Sequence, residues 1–316
     1  MPFMLAPMAG VSDLPFRLIA REFGCPLAFT EMINARALGL KNDKTLRFLR
    51  SSPLDRPLGV QLLGREPEFL LHALDVLAGY PFDVIDLNAA CPVHKVTRKG
   101  EGAALMREPE TLFRLVSALV KHARVPVTVK IRSGWDLDSV NAPEAAKRIE
   151  AAGASAVCVH GRTRSQGYRG RADASVIKAV KEAVAIPVIA SGDVFSQAAA
   201  ARIAEETGCD ALMVARGALG NPWIFDDLAR AQGNGGADAA GCGPHDALAR
   251  EIAEVKPVME KHLALSVDHH GPVTGVINFR KCFVWYTRGV RDARTLRVRA
   301  VHASSLDEMR ALIDEL

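Results

Sequence analysis

The stretch PETLFRLVSALVKHARVPVTVKIR, from Pro109 to Arg132, joins an amphipathic segment to a short apolar run. Four apolar residues of the first half fall on one face of a helix, namely Leu112, Leu115, Val116 and Leu119. The second half, Val127–Ile131, has the length and the β-branched content of a buried strand. A helix that packs against the strand following it is the repeating unit of an α/β fold.

The same unit recurs along the first two thirds of the chain. Apolar runs predict eight strands, at Phe3–Met8, Ala28–Glu31, Leu58–Leu62, Asp83–Asn88, Val127–Ile131, Ala156–His160, Pro187–Ala190 and Ala211–Ala215. Amphipathic stretches separate most of them, and Ser196 is a suitable N-cap for one. Eight such units over about 225 residues predict a closed (β/α)8 TIM barrel, residues 1–230. The alternative is a doubly wound open sheet, but APMAGVSD after the first strand is not its glycine-rich fingerprint.

A stretch rich in Gly and Ala separates the predicted barrel from the C-terminal part. AQGNGGADAAGCGPHD, residues 231–246, has little to bury and is interpreted as a linker or long loop. Beyond it, helical patterns at Ala247–Leu263, Gly275–Arg288 and Ser304–Leu316 predict a small all-helical domain, residues 247–316. From Arg280 to His302 this domain has seven Lys or Arg against one acid, Asp292. The excess indicates either a solvated helix face or a surface that binds a polyanion.

Composition limits the class of protein. The chain has 316 residues, of which 49% are apolar and 24% charged, and its net charge is +4; these values are typical of soluble globular proteins. No apolar run approaches the ~20 residues that span a bilayer, and MPFMLAPMAG lacks the charged region of a signal peptide. No C-x-x-C pair occurs, so neither a zinc site nor a redox pair is predicted. We expect a cytoplasmic protein without membrane association, with Cys158 and Cys209 as buried core thiols and no protein partner implied.

Polar residues follow nearly every predicted strand, at the end where chemistry gathers in such a barrel. They include Gln61, Asn88, Lys130, Arg132, His160, Arg162, Arg164, Asp193 and Arg216. The glycines and Arg216 that follow the last two strands are suited to binding a phosphate group. Lys130 suits the electron-rich edge of a flavin, which the set as a whole favours. A phosphosugar aldolase that uses Lys130 as a Schiff base is the competing interpretation.

Cys91 lies in DLNAACPVHKV, Asp86 to Val96, where an apolar run stops at Asn88. It is either a small buried hydrophobe at a strand end or a thiol that takes part in chemistry. Its place on the loop after a strand favours the second interpretation, because such a loop can close over a bound substrate. A thiol whose pKa stays near or above neutrality can act as a general acid.

Six motifs together resemble those of the tRNA-dihydrouridine synthases, in particular the bacterial B-type branch. They are APMAGVSDLPFR, DLNAACPVHKVTRKGEGAALM, VKIRSGW, VHGRTRSQGYRGRAD, PVIASGDV and GALGNPWIF, with a weaker match in FRKCFVWYTRG. The resemblance implies an FMN enzyme that reduces the C5=C6 bond of specific uridines in tRNA to 5,6-dihydrouridine, with NADPH as reductant. Hydride would pass from FMN N5 to C6, and Cys91 would donate the proton to C5.

The resemblance also implies roles for individual residues. The cofactor-binding residues would be Pro7, Met8, Ala9, Gln61, Lys130, His160, Ser191, Gly192, Asp193, Ala215 and Arg216. The substrate-binding residues would be Asn88, which holds the uracil, and Lys95, Arg132, Arg162 and Arg164. The basic helical domain would supply further contacts to tRNA phosphates.

Four positions depart from the family pattern. Ala90 and Ala215 stand where it usually has Gly, Ser191 where it has Asn, and Cys282 where it has His. Two other functions stay open on the residues alone. One is a flavin barrel acting on a small pyrimidine of the dihydroorotate or dihydropyrimidine type. The basic C-terminal domain argues against this function. The other is an RNA-binding protein without catalysis, against which the intact Cys91 argues.

Overall fold

The computed structural model describes residues 1–234 and 250–316 and contains a closed barrel of eight parallel strands. The strands are β1 (Phe3–Leu5), β2 (Ala28–Asn34), β3 (Leu58–Leu63), β4 (Val84–Ala89), β5 (Val127–Arg132), β6 (Ala156–His160), β7 (Val188–Ser191) and β8 (Ala211–Val214). They pair in sequence order, and β8 returns to pair with β1. The predicted (β/α)8 barrel is confirmed, and the doubly wound sheet is excluded.

Helices cover the outside of the barrel. They are α1 (Leu14–Glu22), α2 (Ala35–Gly39), α3 (Asp43–Leu46), α4 (Pro67–Leu77), α5 (His94–Thr97), α6 (Pro109–His122), α7 (Ala142–Ala151), α8 (Ala174–Ala183), α9 (Gln197–Thr207) and α10 (Ile224–Asn234). The four predicted apolar residues of α6 are its buried residues. Ser196 caps α9 as predicted, by accepting a hydrogen bond from the Ala199 N–H. Within the described residues, no helix combines the length and apolar character needed to span a membrane.

Two strand ends differ from the prediction for local reasons. β1 ends at Leu5 instead of Met8, since Pro7 has no N–H with which to continue the ladder. β2 runs past Glu31 to Asn34, with a shift of its register against β3. It stops there because the Asn34 side chain accepts from the Ala37 N–H and starts α2. The other six strands begin and end within one residue of the prediction.

Side chains alternate between the two faces of each strand, and this alternation divides the core. The outward residues Leu87 of β4 and Val129 of β5 pack in the large cluster beneath the helices. A separate apolar cluster fills part of the barrel interior, with Met4, Ala6, Phe29, Ala156, Cys158, Ile189, Ala211 and Met213. The inward residues of β3 to β5 are instead polar and buried, namely Gln61, Asp86, Asn88, Thr128 and Lys130. Polar chemistry is therefore concentrated inside the barrel, toward the mouth.

Four helices follow the barrel and enclose a core of their own. They are α11 (Ile252–His270), α12 (Pro272–Tyr286), α13 (Arg294–Ala300) and α14 (Leu306–Asp314). Three of them correspond to predicted helices, although α11 ends at His270 rather than Leu263. α13 has no predicted counterpart, because RTLRVRA has too few apolar residues for a helical pattern. Of the predicted linker, residues 231–234 belong to α10, and the rest lies outside the described residues.

The helical domain docks on the β1 and β8 side of the barrel mouth. Lys281 of α12 donates a hydrogen bond to the Gly10 carbonyl, and His270 at the end of α11 contacts the Asp13 carboxylate at 2.8 Å. After β8, a Cβ at Gly220 would overlap the Trp285 backbone, so the loop after β8 lies in direct contact with α12. The segment that follows β1, residues 6–13, is called the β1 loop below. It is held in part by the helical domain.

The cysteines among the described residues are unpaired and buried. Cys158 and Cys209 confirm the expectation of core thiols, and burial raises the pKa of Cys158 to about 11. Cys282 lies in the core of the helical domain, with Sγ 3.9 Å from His262 Nε2. Its departure from the family pattern is therefore a change inside a core.

Candidate active site

A cavity of about 380 Å³ opens at the carboxyl ends of the strands, where the loops of a (β/α)8 barrel converge. Most of the predicted site residues line it, namely Pro7, Met8, Ala9, Gln61, Asn88, Cys91, Lys130, Arg132, His160, Ser191, Gly192, Asp193, Ala215 and Arg216. Lys95, Arg162 and Arg164 do not line it. Residues far apart in sequence thus meet around a single enclosed space.

Cys91 forms part of the cavity wall and is 9% exposed. Its N–H donates to Asn88 Oδ1 at 2.8 Å, and its carbonyl accepts from the Ala103 N–H at 3.0 Å. Burial raises the pKa of the thiol, although a hydrogen bond from the Val93 backbone partly opposes this effect. Cys91 is therefore a protonated thiol at neutral pH, which is the form that can donate a proton.

Buried polar side chains connect β3, β4 and β5 beneath Cys91. Asp86 accepts from Thr128 Oγ1 at 2.6 Å and from Gln61 Nε2 at 2.8 Å. Gln61 Oε1 accepts from Asn88 Nδ2 at 2.7 Å, and Asn88 Oδ1 accepts from the Cys91 N–H. Burial raises the pKa of Asp86 to about 6, so the group is still ionised at neutral pH and acts only as an acceptor. The carboxylate therefore fixes the direction in which both amides point.

The Asp86→Asn variant should loosen the Cys91 loop. If its Nδ2 faced Gln61 Nε2, two donors would meet. If its Oδ1 faced Gln61 instead, its Nδ2 would face the Thr128 hydroxyl, which now donates to Asp86 and would have to turn to accept. A mismatch of this kind costs about 1–3 kcal/mol, so we expect Cys91 to react with a maleimide about tenfold faster than in wild type. The rate is measured by mass spectrometry of the modified peptide.

A Thr128→Ser variant serves as the matched control for this measurement. It keeps the hydroxyl that donates to Asp86, so Cys91 should be modified at the wild-type rate. Equal rates in Asp86→Asn and wild type would show that the carboxylate does not order the loop.

Lys130 brings an ammonium group to the same cavity from β5. Its Nζ lies 3.1 Å from Ser191 Oγ and 3.7 Å from Cys158 Sγ, and the residue is 9% exposed. Within the part of the chain that the structure describes, Lys130 forms no ion pair. An ammonium has three donors, so Lys130 can still donate to an oxygen of a ligand. Ser191, which replaces the usual Asn of the family pattern, is its oxygen partner.

Positive charge surrounds His160 at the end of β6. Burial lowers the pKa of His160 well below its ordinary value, and Lys130, Arg132, Arg162 and Arg216 lower it further, so the ring is neutral at pH 7. Among the described residues that line the cavity, Asp193 is the carboxylate, and it accepts from both Arg162 and Arg216. The excess of cations suits an anionic ligand such as a phosphate.

The loops after β7 and β8 form the cavity wall with their backbones. Gly192 has a φ of 116°, and a Cβ there would lie 2.8 Å from the Cβ of Ala172. A Cβ at Gly217 would overlap the Val194 carbonyl oxygen. Neither position has room for a side chain, so glycine is required at both, and neither residue places a side chain between its main chain and the cavity.

Two arginines predicted to bind substrate are engaged inside the protein. Arg132 is 2% exposed and donates to three loop carbonyls, those of Ala90, Thr163 and Gly167. Arg162 is also 2% exposed, donates to the Gly170 carbonyl at 2.6 Å and pairs with Asp193 at 2.8 Å. Through these contacts, both arginines hold the loops after β4, β6 and β7 in position.

Arg164 and Lys95 lie outside the cavity. The Arg164 guanidinium stacks on the Trp135 ring, 4.6 Å from its centroid, and Lys95 is exposed on α5. Both residues belong to the rim formed by the loops after β4 and β6. A large substrate that enters the cavity would pass this rim.

Several residues contribute to the site without having been assigned a role from the sequence. Asp86 and Thr128 are detectable in retrospect, because the period-two alternation along β4 and β5 places them inward with Asn88 and Lys130. Glu31 accepts from the Gly10 N–H, opposite the hydrogen bond from Lys281. No local pattern predicts these two contacts, because each joins residues from distant parts of the chain.

Comparisons with known proteins agree with the fold and identify the family. Histamine dehydrogenase from Rhizobium sp. 4-9 shares the fold, with a TM-score of 0.55 and 14% identity over 83% of this chain and 48% of that one. A chain of Rhizobium leguminosarum bv. phaseoli named "Probable tRNA-dihydrouridine synthase" is 39% identical over 95% of this chain and 94% of its own length.

A second relative carries the B-type name. The tRNA-dihydrouridine synthase B of Xanthomonas axonopodis pv. citri (strain 306) is 36% identical over 98% of this chain and 90% of its own length. The family model described as dihydrouridine synthase (Dus) matches residues 4–315. The chain therefore belongs to the dihydrouridine synthase family.

Proposed function

We propose that the protein reduces the C5=C6 bond of specific uridines in tRNA to 5,6-dihydrouridine. One observation carries the proposal: a member of this family brings an uncharged thiol, Cys91, and a buried ammonium, Lys130, to the same cavity. The reaction adds a hydride to C6 and a proton to C5, so it requires an electron donor and an acid. The names of the curated relatives support tRNA as the substrate.

The residues of the cavity fit FMN as the electron donor. Its phosphate would bind where Arg216 and the two backbone loops meet the neutral His160. Lys130 would donate to the edge of the ring, and Gln61 would offer its second amide N–H, since Asp86 takes only one. Pro7, Met8 and Ala9 would lie beneath the ring. When bound, FMN supplies hydride chemistry toward C6, with NADPH as the source of electrons.

Cys91 would donate the proton to C5. The thiolate that remains is stabilised by the charges of Arg132 and Lys95 and by the hydrogen bond from the Val93 backbone, all of which lower the pKa of this thiol. Asn88 holds the loop through its Oδ1 and lines the cavity. The Asn88 N–H that does not bond to Gln61 would donate to a uracil carbonyl.

The helical domain would bind the tRNA backbone. Four members of its basic run already have internal partners, namely Arg280, Lys281, Arg297 and Arg299. The exposed members that remain for phosphates are Arg288 and Arg294, together with Arg291, whose contact with Asp292 at 3.5 Å is exposed and weak. Binding through phosphates would offset the cost of unstacking a uridine, which must leave the RNA fold to reach the cavity. We place this activity in the cytoplasm, without a protein partner.

The proposal is tested with purified protein, FMN, NADPH and tRNA transcribed in vitro, which carries no modifications. We expect one or more uridines to gain two hydrogen atoms, mapped by mass spectrometry of nuclease fragments. Omitting NADPH should abolish the gain. Rapid NADPH oxidation with unchanged tRNA would contradict the proposal, and turnover of dihydroorotate or a dihydropyrimidine would then identify a small-molecule enzyme.

A further inference from the structure

A cationic hollow of about 400 Å³ lies on the outer rim of the barrel, in the loops after β3 and β4. Four basic residues line it, and they are called the rim site below: Arg65, Arg98, Lys99 and Arg107. Glu108 also lines the hollow and pairs with Arg65 at 2.9 Å. None of the four basic residues has a part in the chemistry proposed for the cavity.

Most of the charge of the rim site has no counterpart within the protein. Among the described residues, Arg98, Lys99 and Arg107 form no ion pair, and all three are exposed. Lys99 does act on one buried carboxyl, Glu101, whose pKa it lowers against the larger raising effect of burial. Four cations and one carboxylate, Glu108, line the hollow, which therefore has an excess of positive charge.

Gly100 shapes one wall of the hollow. It has a φ of 76°, and a Cβ there would overlap Arg65 Nη1. The Arg65 guanidinium thus lies directly on the glycine backbone. Glu108 holds the same guanidinium from another side. The position of Arg65 in the wall is fixed by these two contacts.

The cationic surface continues along the rim through Trp135. Arg107 and Arg164 both stack on its ring, with guanidinium carbons 5.0 and 4.6 Å from the centroid. Arg164 Nε is buried without a hydrogen-bond partner. Its Nη2 donates to Thr97 Oγ1 at 3.4 Å, so Arg164 is held in place, and the exposed Arg107 is the member of this pair that can reach a phosphate.

The rim site lies across the barrel mouth from the helical domain. In the closed order of strands, β4 is opposite β8, and β3 is separated from β1 by β2. The helical domain contacts the loops after β1 and β8, whereas the rim site belongs to the loops after β3 and β4. Cys91 lies on the same loop as Arg98, Lys99 and Arg107, on its inner side. A macromolecule that contacts both surfaces therefore spans the cavity.

We propose that the rim site binds backbone phosphates of the tRNA, on the side of the cavity opposite the helical domain. This inference rests on the proposed function and adds a second binding surface to it. An RNA held at two points on either side of the mouth presents the intervening nucleotide to Cys91. The partner is recognised by its phosphates and not by its bases, because all four groups of the rim site are cations.

The test is tRNA binding by an Arg98→Ala/Lys99→Ala double variant, measured between 50 and 200 mM salt. Each lost phosphate contact reduces the slope of log affinity against log salt by about 0.7–0.9. We expect a slope smaller by about 1.5 and an affinity lower by roughly tenfold at low salt. In turnover KM should rise while kcat stays unchanged, because such contacts are the same in the ground state and the transition state.

Two further variants make the result specific. Arg124→Ala removes an exposed arginine just before β5, at the opposite end of the barrel, and should leave affinity and slope as in wild type. Arg107→Ala removes one cation of the rim site and should reduce the slope by about 0.7–0.9, roughly half the change in the double variant. A wild-type slope in the double variant would overturn the rim site alone. Wild-type protein that binds tRNA with the expected slopes yet forms no dihydrouridine would overturn the proposed function and leave the rim site intact.

Discussion

The Cys91→Ala variant should bind FMN and accept electrons from NADPH as wild type does, yet form dihydrouridine roughly 10²–10⁴-fold more slowly, because a positioned general acid contributes a factor of this size. In the wild type, the Cys91 thiol is buried in the cavity wall and protonated at neutral pH. Alanine removes the proton donor and leaves the backbone hydrogen bonds of the loop in place. Single-turnover measurements with prereduced enzyme isolate the step.

Two further measurements separate acidity from packing. Cys91→Ser keeps a small polar group in place, but an alcohol is a far weaker acid than a thiol, so its rate should stay near that of the alanine variant. The wild-type rate should hold at neutral pH and fall only at alkaline pH, since burial raises the pKa of Cys91 above that of an ordinary thiol. A Cys91→Ala variant that retained more than a tenth of the wild-type rate would contradict the assignment.

The Arg17→Met variant should lose about 3–5 kcal/mol of unfolding free energy, because it leaves an unpaired charge in the interior. Arg17 is 1% exposed and its partner Asp55 is fully buried, with 2.8 Å between them. The same guanidinium donates to the carbonyls of Ser12 and Arg50. Arg21 Nε also lies 3.6 Å from Asp55, but it donates no hydrogen bond to the carboxylate, so the variant removes the hydrogen-bonded cation of Asp55. Urea unfolding measures the loss.

The Arg17→Met/Asp55→Leu double variant should recover part of this loss, because the buried carboxylate is removed, while Arg21 keeps its hydrogen bonds to the Cys25 and Pro57 carbonyls. Arg124→Met, at an exposed arginine, should change the unfolding free energy by no more than about 0.5 kcal/mol. If Arg17→Met unfolded at the wild-type urea concentration, the ion pair would have no structural importance.

The barrel could be predicted from the sequence because its strands are short apolar runs bounded by turn residues. Leu87 and Val129 face the helices, and the regular spacing between such strands specifies the fold. The ends of β1 and β2 could not be predicted as well, because each depends on a single hydrogen bond. Pro7 lacks the N–H that would extend β1, and the Asn34 side chain accepts the hydrogen bond that starts α2. The seven residues of α13 depend on packing against neighbouring helices, which no local pattern contains.

The membership of the candidate site was also predictable, because the fold determines where the strands end. Gln61, Lys130 and Cys91 reach the cavity for this reason. The partners of each polar group were not predictable. Arg132 and Arg162 have the character of substrate-binding residues in the sequence, and their buried carbonyl and carboxylate partners become visible only in three dimensions.

The β1 loop lines the cavity through Pro7, Met8 and Ala9 and is held from outside by Lys281 and His270. Docking of the helical domain and the shape of the cavity therefore share one segment of chain. Equilibria that share a segment are linked, and linkage is reciprocal. If docking raises the affinity of the cavity for its ligand by some factor, binding of the ligand strengthens docking by the same factor. Release of the small ligand and loosening of the domain contact would then be one coupled equilibrium.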